Sequence, residues 1–236
     1  MNSILKTENL TKRYKNSIAV KSLNISIKRN EIYALIGKNG AGKTSLLKMI
    51  TGLSIPSEGK IGVDKECNVI GTLIESPGLM MNLSGYDNLK AKCIGLNKYS
   101  HQYICELLNM VSLEKAAKKK VKHYSLGMKQ RLSIALALIG DPQLLILDEP
   151  INGLDPQGIA HIRELLKKIN EEKDITIIIS SHILEELSKI ATRYGFINNG
   201  VIVKEIEADQ LAEECKQKNI SLEEYYFSLV GGRIYD

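Results

Sequence analysis

The 236-residue sequence predicts an α/β fold in which a parallel sheet is covered by helices and a helical segment is inserted between two of its strands. Three observations predict it. Short apolar runs at Glu31–Ile36, Leu144–Leu147 and Ile175–Ile179 have strand length and alternate with helical patterns, the order of a parallel sheet. The apolar residues are mostly Ile, Leu, Val and Ala, with no Trp, two Phe and ten Tyr, a mixture suited to strands buried on both faces. From Ser76 to about Gly140 the pattern turns mainly helical.

Along the chain, Ala19–Ile27 and Glu31–Ile36 are the first apolar runs, the second reading as a short buried strand. A glycine-rich turn, Gly37–Thr44, leads into Ser45–Ile50, where apolar positions 46, 47, 49 and 50 suit a helix packed on a sheet. Pro56-Ser57-Glu58-Gly59 marks a turn, and Lys60–Asp64 and Val69–Leu73 read as two more strands. Cys105–Val111 and Leu132–Ile139 are the apolar stretches of the helical segment. Beyond Pro142 come a strand over Leu144–Leu147, a helix over about Gln157–Asn170 and a strand over Ile175–Ile179. Ser221-Leu222-Glu223-Glu224 has capping-box spacing and opens a last helix toward Leu229. The expected organisation is one domain, with a core of residues 1–75 and 141–206, a helical subdomain of residues 76–140 and a helical extension of residues 207–236.

Composition excludes several classes of function. The charge is +5, from 32 basic and 27 acidic residues, and is dispersed, with no basic stripe or reading motif for nucleic acid. Five lysines within Lys115–Lys122 read as a solvated helix face. Four cysteines, Cys67, Cys93, Cys105 and Cys215, have no short ligand spacing, so reduced thiols are expected rather than zinc or a disulfide framework. The first residues lack the apolar stretch of a secretory signal, so the protein is expected to stay inside the cell. Leu132–Leu147, the most apolar stretch, is interrupted at Gly140–Gln143 and falls short of the ~20 residues needed to cross a bilayer.

The chemistry begins at Gly37–Thr44, which matches G-x-x-x-x-G-K-[ST], a phosphate-binding loop. Average residue usage gives a chance match in roughly one sequence in a hundred of this length, and the flanking strand and helix sharpen it. Glycines let successive N–H groups converge on phosphate oxygens at the positive end of the following helix. Lys43 is expected on the β- and γ-phosphates and Thr44 on Mg²⁺, which makes ATP or GTP the ligand. Asp148 and Glu149 end an apolar strand, where a parallel sheet presents ligand-binding groups. Asp148 suits Mg²⁺ held through its water shell, and Glu149 suits orienting or deprotonating an attacking water. His182 follows the strand Ile175–Ile179 across Ser180-Ser181 and can lie near Glu149 and a γ-phosphate. Ser125 or a neighbour can cap the helix that follows, leaving Gly127 at a positive helix end as a second anion site.

In this order these elements resemble the nucleotide-binding domain of ABC transporters over nearly the whole chain. The resemblance implies a P-loop NTPase with a RecA-like core, antiparallel β elements and an inserted α-helical subdomain. Tyr14 is similar to the aromatic residue that stacks on adenine, and Gly37, Asn39, Gly40, Ala41, Gly42, Lys43, Thr44 and Ser45 to the Walker A segment. Ser125–Arg131 resembles the family signature, Asp148 and Glu149 the Walker B pair, Asn152-Gly153-Leu154-Asp155 the D-loop, and His182 the switch histidine. The signature is usually LSGGQ, whereas Tyr124–Met128 reads YSLGM, a variant resembling exporters of the bacteriocin- and bacitracin-resistance branch. Glu75 stands where the family normally has a glutamine that reaches Mg²⁺; a carboxylate can still ligate the ion but cannot donate a hydrogen bond while ionised.

Glutamate in that loop resembles the ATPase subunits of lantibiotic self-immunity exporters. The resemblance implies an ATPase using ATP and Mg²⁺, with Lys43, Glu149 and His182 catalytic and Thr44, Glu75 and Asp148 at the metal. With one P-loop and one signature in the chain, it implies a second copy that completes each pocket. It also implies separate membrane permease subunits docked on Glu75–Leu83 and the helical subdomain, at the cytoplasmic face of the membrane.

Overall fold

The computed structural model describes residues 3–75 and 78–231. The first elements are β1 (Ser3–Tyr14), β2 (Ser17–Leu23), β3 (Ser26–Lys28), β4 (Ile32–Ile36), α1 (Lys43–Ile50), β5 (Glu58–Val63) and β6 (Ile70–Leu73). Helices α2 (Gly85–Gly95), α3 (His101–Met110) and α4 (Leu126–Leu138) follow, then β7 (Leu144–Asp148), α5 (Pro156–Lys173) and β8 (Thr176–Ser181). The chain continues through α6 (Leu184–Leu187), β9 (Arg193–Asn198), β10 (Val201–Glu207), α7 (Ala208–Lys218) and α8 (Leu222–Val230).

These strands form two sheets. In the smaller one, β1 pairs antiparallel with β2, β3 and β5. The larger has the order β10-β9-β4-β8-β7-β6 and is parallel except where β10 returns antiparallel on β9. Strand periodicity divides the apolar side chains between two cores. Ile32, Ala34 and Ile36 of β4 join Leu145 and Leu147 of β7 and Ile177 and Ile179 of β8 in a core shared with α3, α4, α5 and α8. Tyr33 and Leu35, with Leu144, Ile146 and Ile178, face the other way into a core with α1 and the smaller sheet. Burial on both faces explains why β4, β7 and β8 read as unbroken apolar runs.

The apolar run Ala19–Ile27 divides into β2 and β3 around Asn24. The sequence reading passes over β1, β9 and β10, and takes α7 only as part of the helical extension of residues 207–236. In β1 only Ile4, Leu5, Thr7, Leu10 and Thr11 are buried. Its alternation breaks at Asn9 (φ 48°), and its pairing with β2 shifts register after Leu10. The capping box at Ser221 forms on both sides: Ser221 Oγ accepts the Glu224 N–H, and the Glu224 carboxylate accepts the Ser221 N–H.

Candidate active site

Strand β4 delivers the Gly37–Thr44 loop to the carboxyl edge of the larger sheet, between β8 and β9. The loop is tightly fitted from outside. A Cβ at Gly42 (φ 108°) would lie 2.3 Å from the Ala19 carbonyl oxygen, so only glycine fits this crossing. Gly42 is also the N-cap of α1 and supplies no side-chain acceptor, so the first N–H groups of α1 remain available to an anion. The Ala41 N–H donates to the Lys38 carbonyl, and the Ala41 carbonyl accepts the Gly200 N–H, fastening the loop to the β9–β10 turn. Asn39 and Gly40 are exposed at its tip, and Ser45 lies in the first turn of α1.

Lys43 is only 5% exposed, and its ammonium folds back into the loop, donating to the Gly37 carbonyl at 2.6 Å and the Lys38 carbonyl at 3.3 Å. It also lies 3.1 Å from Glu149 Oε1. That geometry makes no hydrogen bond, and Oε1 is buried without a hydrogen-bond partner among the described residues. The other oxygen, Oε2, is 2.8 Å from His182 Nδ1. Beside this pair, Thr44 Oγ1 donates to Asp148 Oδ2 at 2.7 Å, and Ser180 Oγ donates to Asp148 Oδ1 at 2.5 Å. Ser180 Oγ in turn accepts the Glu149 N–H at 2.9 Å. Glu149 occupies left-handed backbone space (φ 51°), which costs a non-glycine residue about 1 kcal/mol. A buried backbone hydrogen bond contributes on the same order, so the bond to Ser180 offsets the strain.

The donors fit a magnesium ion. Thr44 and Asp148 bring two oxygen ligands together from different elements, and no cluster of three His, Cys, Asp or Glu occurs among the described residues. Few protein oxygens leave most positions to phosphate and water, as Mg²⁺ prefers. Glu75 stands apart from these groups. Its carboxylate pairs with Lys48 Nζ of α1 and makes no hydrogen bond to Thr44 or Asp148. The hydrogen bond to Glu75 raises the Lys48 pKa above its ordinary value. Ser76 and Pro77, the next residues of the expected docking segment, lie outside the described residues, as do residues 232–236.

Tyr14 closes β1 and is 43% exposed, with Lys12 Nζ 5.0 Å from its ring centroid. Burial opposes ionisation of its phenol, but hydroxyls of Ser54 and Ser45 and the charges of Lys12 and Lys48 outweigh it, and the pKa falls below the ordinary value.

Ser125 is the N-cap of α4, and its Oγ accepts the Met128 N–H at 3.2 Å. Ser125 and Gly127 line a cavity of about 400 Å³ with Gly153, Asp155 and the start of α5. No hydrogen bond among the described residues joins this cavity to the Gly37–Thr44 loop. The loop at β4–α1 contributes no residue to the lining of this cavity at the start of α4.

Comparison with known proteins decides the family. The ABC transporter family profile matches residues 20–152. The chain belongs to the ABC transporter family. This cassette is 46% identical over 212 residues to the lantibiotic transport ATP-binding protein SrtF of Streptococcus pyogenes, covering 87% of this chain and 92% of that one. It is 42% identical over 220 residues to the bacitracin transport ATP-binding protein BcrA of Enterococcus faecalis, covering 89% of this chain and 71% of that one. Its fold is similar to the dimeric post-hydrolysis structure of the ATP-binding cassette MJ0796 bound to ADP and Pi, with a TM-score of 0.76, 28% identity, and coverage of 86% and 98%. It is likewise similar to cbiO1 of Clostridium perfringens, with a TM-score of 0.80, 28% identity, and coverage of 97% and 99%. The cassette is an ABC ATPase, and ATP is its substrate.

Two residues of the cassette's site escape sequence reasoning. Ser180 is one, although a polar pair ending a strand of buried isoleucines already demands partners. The other is Tyr226 on α8, whose hydroxyl accepts the Lys38 N–H of the loop at 3.0 Å. Burial pushes the Tyr226 phenol upward in pKa. No local pattern announces this contact, because its partners are 188 residues apart.

Proposed function

We propose that two copies of the cassette close head to tail around ATP and drive separate membrane subunits that expel a lantibiotic or related antimicrobial peptide. The carrying observation is the cluster of Lys43, Thr44, Asp148, Glu149 and His182, held apart in each chain from Ser125 and Gly127. In this reading Tyr14 stacks on adenine, while backbone N–H groups from Gly37 through Ser45 receive phosphate oxygens. The Lys43 ammonium exchanges its two carbonyls for β- and γ-phosphate oxygens. Thr44 and Asp148 would hold the magnesium ion, which when bound supplies charge neutralisation of the triphosphate. Ser125 and the Gly127 N–H of the second copy meet the γ-phosphate.

Glu149 Oε1, lacking a hydrogen-bond partner, accepts the proton of the attacking water while His182 holds Oε2. The water oxygen bonds to the γ-phosphorus as the bond from phosphorus to the bridging oxygen breaks, giving ADP and phosphate.

No helix among the described residues is long and apolar enough to cross a membrane. In this reading the motion passes to other subunits at the cytoplasmic face of the membrane, which the likeness to transport ATP-binding proteins supports. A cavity of about 450 Å³ lined by Leu53, Met80, Lys92 and Leu136 supports a dock beside the helical segment. Leu53, one of the lining residues, is 66% exposed. The 46% identity to SrtF supports a lantibiotic cargo, and the 42% identity to BcrA supports bacitracin as the second reading.

Expression of the cassette with its membrane subunits in a sensitive strain tests both readings. The proposal expects co-purification of small hydrophobic membrane proteins with the cassette. It also expects resistance to a lantibiotic that Glu149→Gln abolishes. Resistance to bacitracin alone transfers the cargo assignment to the second reading, and resistance to neither contradicts both.

A further inference from the structure

We propose that Ser180 is a positioning residue for ATP hydrolysis, setting the aim of the general base and the magnesium-holding carboxylate through one hydroxyl. The inference rests on the roles proposed above for Glu149 and Asp148. Ser180 is 0% exposed and sits opposite Asp148 in the parallel register of β7 and β8. Its hydroxyl has one hydrogen and spends it on Asp148 Oδ1, at 2.5 Å. This directs Oδ2, the oxygen that meets Thr44, toward the proposed ion. Ser180 Oγ itself accepts the N–H of Glu149 at 2.9 Å.

That N–H belongs to a residue held at φ 51°, and the backbone there determines where the carboxylate points. With the backbone fixed, Glu149 reaches Lys43 through Oε1 and His182 through Oε2. Water cannot substitute for a buried hydroxyl without a cavity, so its loss leaves both the Glu149 N–H and Asp148 Oδ1 unsatisfied. Ser181, one residue on, turns its side chain to the Ile183 N–H and does not share the task.

The test compares Ser180→Ala, Ser180→Cys and Ser180→Thr with the parent and with Glu149→Gln. Ser180→Cys keeps nearly the same volume with a weak donor, and Ser180→Thr keeps the hydroxyl. The expected result is a fall in kcat of about 10- to 100-fold for Ala and Cys, with Kd for ATP within about threefold of the parent, and recovery with Thr. A second readout needs no turnover: hydrogen exchange at the Glu149 amide of the nucleotide-free protein accelerates in Ala and Cys and is restored in Thr. If Glu149→Gln is inactive while Ala and Cys stay within twofold of parent kcat with an unchanged Glu149 amide, the role of Ser180 is refuted. If Glu149→Gln retains parental turnover, the underlying assignment of the base fails instead.

Discussion

Lys43 carries an ammonium buried within the Gly37–Thr44 loop. An unpaired buried charge costs several kcal/mol, and here two carbonyls and Glu149 offset that cost. The loop thus holds positive charge ready for phosphate, and the Lys38 carbonyl keeps the Ala41 N–H when the ammonium leaves it. Glu75 illustrates the opposite case. It is 63% exposed and tied to Lys48, an exposed pair of the kind that contributes about 0–1 kcal/mol. Glu75→Gln should therefore leave ATP turnover within about threefold of the parent; steady-state kinetics showing a tenfold change would place its carboxylate in the reaction. Lys43, Thr44, Asp148 and Glu149 were legible because each sits in a local spacing with its own chemistry. Ser180 and Tyr226 act on partners 31 and 188 residues away, which only the folded sheet brings near.

Among the elements, the aliphatic-rich strands β4, β7 and β8 were legible, whereas β9, buried on both faces but built from Arg, Tyr, Gly, Phe, Ile and Asn, was not. β4, β7 and β8 are dominated by buried Ile and Leu, whereas β1 buries Thr7 and Thr11 among its apolar residues, exposes Lys6, Glu8 and Asn9, and has positive φ at Asn9. β10 is an edge strand with one buried residue, and α7 buries only Leu211, so neither leaves a strong periodic trace.

Glu31, just before β4, shows how such an element carries charge. It is 6% exposed and accepts the Lys28 N–H at 2.7 Å, and burial raises its pKa above the ordinary glutamate value. Because the folded pKa exceeds the unfolded one, folding takes up a proton between the two values, and stability falls as pH rises through that window. Glu31→Gln lacks this titration while its amide oxygen can still accept the Lys28 N–H. In thermal melts the Tm of the variant relative to the parent should rise as pH increases upward from the ordinary glutamate range. A difference independent of pH would show that Glu31 does not carry the effect.

At the scale of the whole molecule, α1 packs in one core and α4 in the other, and in the proposed function each chain supplies half of two pockets. That arrangement was legible only as a count of motifs, one loop and one signature; the separation itself required the sheet order and the cavity at Ser125. The central claim is that ATP joins these halves across copies. Sedimentation of Glu149→Gln, which should bind ATP without cleaving it, measures this directly. With saturating ATP and magnesium the variant should run at twice the 26.3 kDa protomer mass, and with ADP as a monomer. A nucleotide-loaded monomer at every protein concentration would contradict it.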